Sequence, residues 1–131
     1  MTQEQWSMIR YFKAEEFDSP DAPGSGEIMD FDFVTTLDKI RSDFGQPIHI
    51  NSGVRSAKHN EEVGGVESSA HTEGHAADIT IFHRVPGIVS FRRARIVMLA
   101  IVHGIKRIGI GKNFVHLDNS PTHPSPRIWL Y

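Results

Sequence analysis

The sequence predicts an α+β domain in which helices pack on one face of a small, mainly antiparallel sheet. Three observations carry that class. Two long stretches repeat apolar residues at helical spacing, several short runs are rich in β-branched and aromatic residues, and Lys112-Asn113 separates two of those runs by the length of a tight hairpin. With 131 residues the chain has the size of one ordinary domain and can bury its own core. A single domain over residues 1–131 is expected, with residues 1–29 as an N-terminal segment and loop.

Residues 1–18 mix aromatic and charged side chains and fix neither helix nor strand, although Phe12 and Phe17 are placed to pack onto the domain. Ser19-Pro20-Asp21-Ala22-Pro23-Gly24-Ser25-Gly26 is dense in turn formers and reads as a loop. Phe33, Leu37, Ile40 and Phe44 then fall at steps of four, three and four, which predicts a core-facing helix over residues 30–44, stopped by Gly45 and Pro47. Ile48 and Ile50 alternate with His49 and Asn51 as in a half-buried strand, and a short helix is expected over residues 57–63.

Ile79-Thr80-Ile81-Phe82 has the composition of a further strand. Pro86-Gly87 marks a turn, after which Phe91, Ala94, Met98, Ile101 and Val102 predict a second long helix with that stripe inward, closed by Gly104. Arg92, Arg93 and Arg95 fall off the stripe, as a solvated face or as an attraction for an anionic polymer. Residues 107–111 and 114–118 form the hairpin. Arg127-Ile128-Trp129-Leu130 makes a last strand beyond Pro121, Pro124 and Pro126.

A net charge of -2 supplies no general basic field, so neither nucleic acid nor a membrane surface is an expected partner. The N-terminus lacks a basic segment followed by an apolar run, and no window approaches the ~18 apolar residues of a membrane helix. Synthesis in the cytoplasm without an export signal is expected. There is no cysteine, so a transition-metal site must draw on His, Asp and Glu, and eight histidines make that easy.

The run Ser69-Ala70-His71-Thr72-Glu73-Gly74-His75-Ala76-Ala77-Asp78 places a His and an Asp on either side of a Gly. That spacing is not helical, since helix-borne ligands sit three or four residues apart. His71 belongs to a loop that turns at Gly74, and Asp78 to the start of a buried strand. From there an imidazole and a carboxylate can converge on one metal ion. The duller possibility is a polar loop beside a strand-end carboxylate.

The pattern Ser69-x-His71-x-x-Gly74-x-Ala76-x-Asp78 resembles the first motif of the zinc D-Ala-D-Ala carboxypeptidases, whose relatives include phage L-Ala-D-Glu endolysins and the Hedgehog signalling domain. Upstream, Ser52-Gly53-Val54-Arg55-Ser56 resembles the family's strand-turn, followed by Asn60 and Val63-Gly64-Gly65. Downstream, Phe114-Val115-His116-Leu117-Asp118 resembles the strand that brings in the third ligand, and Arg127-Ile128-Trp129 its closing strand. The likeness covers roughly residues 30 to 131.

The resemblance implies a Hedgehog/DD-peptidase-like fold and a zinc metallopeptidase that acts on peptidoglycan stem peptides, as carboxypeptidase or endopeptidase. His71, Asp78 and His116 would hold Zn²⁺ and leave a fourth position for water. Arg55 matches the family's cation over the metal, for the substrate carbonyl or the oxyanion, with a simple turn salt bridge as the alternative. The family places its base two or three residues before the third ligand, where this chain has Asn113 and Phe114. Asp118 shares a strand face with His116 and is the leading candidate base, or else an acceptor that orients a ligand imidazole. Glu73 and His75 are further candidates. His49 and His103 read as packing or capping residues, His83 as the start of a loop, and His59 and His123 as possible cleft residues.

A monomeric phage lysis enzyme, reaching the cell wall after release, fits the lack of a signal peptide. A non-catalytic zinc-bearing binding or structural domain of a phage particle is the alternative, and a metal-free scaffold a third possibility.

Overall fold

The computed structural model describes all 131 residues. The four-three-four stripe folds as helix α2 (Phe31–Phe44), following a short helix α1 (Gln3–Ser7). The Asp30 carboxylate caps α2 by accepting from the Phe33 N–H at 2.9 Å, and Gly45 closes it in the left-handed conformation. Phe33, Leu37 and Ile40 are buried as expected. Strand β1 (Ile50–Ser52), helix α3 (Ala57–Glu62) and strand β2 (Ala76–Thr80) come next. Helix α4 (Pro86–Val102), β3 (Arg107–Ile110), β4 (Phe114–Asp118) and β5 (Arg127–Leu130) complete the chain.

The strands form one sheet in the order β1-β2-β4-β3-β5, antiparallel except for the β3/β5 edge pair. The α+β class with a mainly antiparallel sheet therefore holds. Lys112-Asn113 is the hairpin tip, with the Gly111 N–H donating to the Phe114 carbonyl at 2.9 Å.

Helix α4 departs from expectation twice. It starts at Pro86 instead of after it, because a proline in the first helical turn needs no N–H partner and has a suitable φ. Its buried residues are Ile96 and Ala100, with Val89, Val97 and Leu99 packed partly against the core. The predicted stripe faces outward, Phe91 and Met98 being 63% and 64% exposed. A helix with apolar residues on nearly every side gives its periodicity no single face to report. The arginines reach back to the domain instead: Arg92 donates to the Phe82 carbonyl, Arg93 to that of Lys112 and Arg95 to that of Asp43. Long Arg stems can lie along apolar surface while their heads find acceptors.

Strand alternation divides the sheet into two faces. Ala77, Ile79, Val115 and Leu117 join the core cluster with α2 and α4. The intervening Asp78, His116 and Asp118 point the other way. Register then pairs Asp78 with His116, His116 with Gly109, and Gly109 with Trp129, a row of positions across four strands.

The N-terminal segment packs against the core. Phe12 and Phe17 are buried in the same core, and the Phe17 carbonyl accepts from the Val54 N–H at 2.8 Å. A side chain at Gly53 would start 2.6 Å from the Phe17 Cα, so only glycine fits where the two segments touch. Phe17 is fully buried. Phe17→Ala is expected to cost about 3–5 kcal/mol in urea unfolding, and a cost below about 1 kcal/mol would contradict this packing.

Candidate metal centre

His71 reaches the sheet from the loop before β2. Gly74 turns that loop at φ 77°, and an added Cβ there would stand 2.5 Å from the Ile28 carbonyl. Both the left-handed backbone and the close approach require glycine. The turn is clamped further where the Asp30 N–H donates to the Gly74 carbonyl at 2.9 Å.

Three potential ligand atoms converge. His71 Nε2 lies 3.2 Å from Asp78 Oδ1 and 3.2 Å from His116 Nδ1, and His116 Nδ1 lies 2.9 Å from the same Asp78 oxygen. Tetrahedral coordination with bonds of about 2.0–2.1 Å spaces its ligand atoms by about 3.3 Å. The triangle is close to that size. All three residues are buried, at 2%, 6% and 5% exposure.

The outer nitrogens of the two imidazoles fix which atoms face inward. His71 Nδ1 is 2.7 Å from the Gly53 carbonyl, which only accepts, so the ring N–H is there and Nε2 offers its lone pair. His116 Nε2 is 2.7 Å from Asp118 Oδ2, which places an N–H outward and leaves Nδ1 as the atom that faces inward. Once the inner nitrogens are deprotonated, two lone pairs and a carboxylate oxygen meet in a buried spot. Such a set is complementary to a cation, and imidazoles held from behind by carbonyl or carboxylate are the usual arrangement at metal sites.

The same contacts order the protonation equilibria. Burial works against ionised Asp78, but hydrogen bonds from His116 and His71 and their charge outweigh it and hold its carboxyl far below the usual range. Burial also opposes charge on His116, and the carboxylates of Asp118 and Asp78 overcome it, raising its pKa. Asp118 is lowered, since His116, the Ser120 N–H and Arg107 together exceed its burial cost.

Asp118 is 1% exposed and every contact it makes is with a donor. Oδ2 takes His116 Nε2, while Oδ1 takes Arg107 Nε at 2.7 Å and the Ser120 N–H at 3.1 Å. It sits behind His116, on the far side of the ring from the converging atoms. In that position the carboxylate orients the imidazole, one of the two roles the shared strand face allowed. His75 is elsewhere too, its Nδ1 2.8 Å from Asn119 Oδ1. Glu73 accepts from the hydroxyls of Ser120 and Thr122 at 3.3 and 3.0 Å.

A cleft of roughly 530 Å³ opens over the triangle, lined on the sheet side by Arg107, Phe114, Trp129 and Tyr131 and on the loop side by residues 63–66, with Arg55 and His123 at its walls. Arg55 holds Asp78 Oδ2 at 3.4 Å, Ser52 Oγ at 3.3 Å and Asn60 Oδ1 at 3.3 Å, all long contacts for a guanidinium. Among the remaining histidines, His103 caps α4 against Asp43 at 2.7 Å, and His49 is exposed rather than packed. Arg107 and Tyr131 escaped the sequence reading. Their signal was the strand period, which puts Arg107 and Gly109, and Trp129 and Tyr131, on the face of His116 once β5 is known to pair with β3.

A family model described as Peptidase M15 matches residues 10–118. No curated protein matches the chain.

A raised folded pKa at His116 stabilises the metal-free protein fully below the unfolded value, near 6.5, and that contribution fades as pH climbs through the folded value. A metal ion ligated through Nδ1 would have to displace the same proton, so its affinity would rise with pH over this window. In thermal melts between pH 6 and 8, the stabilisation by added zinc over chelator-treated protein is expected to widen as pH rises. A constant gap would contradict the assignment of His116 Nδ1 to the inner set.

Proposed function

Because the chain belongs to the M15 peptidase family and gathers two imidazoles and a carboxylate within metal-binding distance of one another, we propose that it is a zinc peptidase hydrolysing the stem peptides of peptidoglycan. The observation that carries the reading is the inward-facing triangle of His71 Nε2, Asp78 Oδ1 and His116 Nδ1. Its donor set of two nitrogens and one oxygen suits zinc, and three protein ligands leave room for water. When bound, such an ion acidifies the attacking water and polarises the scissile carbonyl.

The chain's own residues supply the rest. The Gly53 carbonyl and Asp118 keep both imidazoles in the ligating tautomer. Arg55, held only by long contacts, is free to turn toward negative charge that develops on the carbonyl oxygen. Trp129, Tyr131 and Phe114 give the cleft an aromatic floor, and the Arg55 and Arg107 guanidinium groups give it a preference for carboxylates. A short peptide bearing free carboxylates, as wall stem peptides do, fits that lining. Cleavage inside the stem, as in the phage endolysins, and removal of a terminal D-Ala are the two forms of the proposed activity.

Purified peptidoglycan, digested with zinc-loaded protein and read by product mass, is expected to release stem-peptide fragments or free D-Ala, and a chelator should stop it. Bound zinc with an untouched wall would favour the non-catalytic alternative. Arg55→Ala is expected to lower kcat by about 10²–10³ with zinc content unchanged; wild-type turnover in that variant would remove the oxyanion role.

A further inference from the structure

The positions that usually carry a proton acceptor hold Asn113 and Phe114, and Asp118 is occupied behind His116. A peptidase needs a group that takes the proton of the attacking water. Of the other charged or titratable groups in the cleft, Arg55 and Arg107 offer donors only, and burial holds the Tyr131 phenol above its ordinary pKa. His123 is left. It is half-buried, lines the same cleft as the three converging ligand atoms, and lies outside the set that could hold a metal.

Its surroundings offer it a defined tautomer. Ser120 Oγ lies 3.3 Å from Glu73 Oε2 and 3.1 Å from Thr122 Oγ1, and Thr122 Oγ1 lies 3.0 Å from Glu73 Oε1. A carboxylate oxygen accepts, so both hydroxyls are placed to donate to Glu73. His123 Nδ1 is 2.6 Å from Ser120 Oγ and 3.3 Å from Thr122 Oγ1. When both hydroxyls donate to Glu73, the hydrogen in that short contact belongs to the imidazole, so that His123 donates from Nδ1 and Nε2 carries the free lone pair. The chain Glu73, Ser120 and Thr122, His123 has the logic of a base oriented by a carboxylate through hydroxyl groups.

We propose that His123 is the general base of this peptidase, with Glu73 and Ser120 as its positioning residues; the proposal rests on the peptidase reading above. His123 Nε2 takes a proton from the attacking water as the water oxygen bonds to the carbonyl carbon. The imidazolium then gives that proton to the amide nitrogen as the C–N bond breaks, so the products are a carboxylic acid and an amine and the imidazole is neutral again. Glu73, one of the bases considered from sequence, acts through His123 without meeting the water.

Two readouts test this on the full-length, zinc-loaded protein. Ring ¹⁵N NMR, with the His123 signals assigned by their loss in His123→Ala, is expected to show the Nδ1–H tautomer in the wild type. In Glu73→Ala it should show a shift toward Nε2–H, because the Ser120 hydrogen is released to turn to Nδ1. In peptidoglycan digestion, His123→Ala is expected to lose about 10²–10⁴-fold in kcat with zinc retained, part of it restored by free imidazole in the buffer. An Nε2–H tautomer in the wild type overturns the proposal, as does full turnover in His123→Ala. If the wild-type protein binds zinc, shows the Nδ1–H tautomer and cuts no wall, the peptidase reading fails and the base role with it, while the hydrogen-bond chain stands.

Discussion

Two hydrogen bonds made away from the reaction centre decide what the centre can do. The Gly53 carbonyl holds the outer nitrogen of His71, and Asp118 holds that of His116. Without them neither ring would be held with its inner nitrogen directed at the site. With them, loss of the inner proton leaves an electron-rich pocket suited to a cation. Buried polar groups of this kind are costly unless fully partnered. Here each partner is itself fixed, Gly53 by the backbone of Phe17 and Asp118 by Arg107 and the Ser120 N–H.

The sheet makes this possible by keeping its two faces chemically separate. Alternation along β2 and β4 sends Ile79, Val115 and Leu117 into a core shared with α2 and α4, and Asp78, His116 and Asp118 to the opposite side. A slip of one residue in the β2/β4 register would exchange the two sets. The dense apolar packing behind the sheet therefore also fixes the metal-facing geometry. The N-terminal segment takes part in the same way, since Phe17 both fills the core and abuts the turn that carries the Gly53 carbonyl.

Much of this was legible in the residues. The stripe of Phe33, Leu37 and Ile40 gave α2 and its buried face, the Lys112-Asn113 spacing gave the hairpin, and the resemblance around His71, Asp78 and His116 named the three side chains that converge. What escaped was decided by tertiary contact. Helix α4 is apolar on too many sides for its period to identify the inner face, and the outward stripe of Phe91 and Met98 was mistaken for the core. Strand period correctly put Asp118 on the face of His116, but period cannot say which side of a ring a carboxylate stands. The parallel pairing of β5 with β3, which carries Trp129 and Tyr131 to the cleft, has no local signal at all. His123 needed the fold to bring Glu73 to Ser120 and Thr122 before it could be told from any loop histidine.

The central claim is that His71 Nε2, Asp78 Oδ1 and His116 Nδ1 hold one zinc ion. Anomalous diffraction from crystals of the zinc-loaded protein, collected on both sides of the zinc absorption edge, tests it most directly. The account predicts a single peak inside the triangle, about 2.0–2.2 Å from each of the three atoms, with Asp118 still bonded to His116 Nε2. Zinc bound elsewhere, or held through the outer nitrogen of either imidazole, would contradict it.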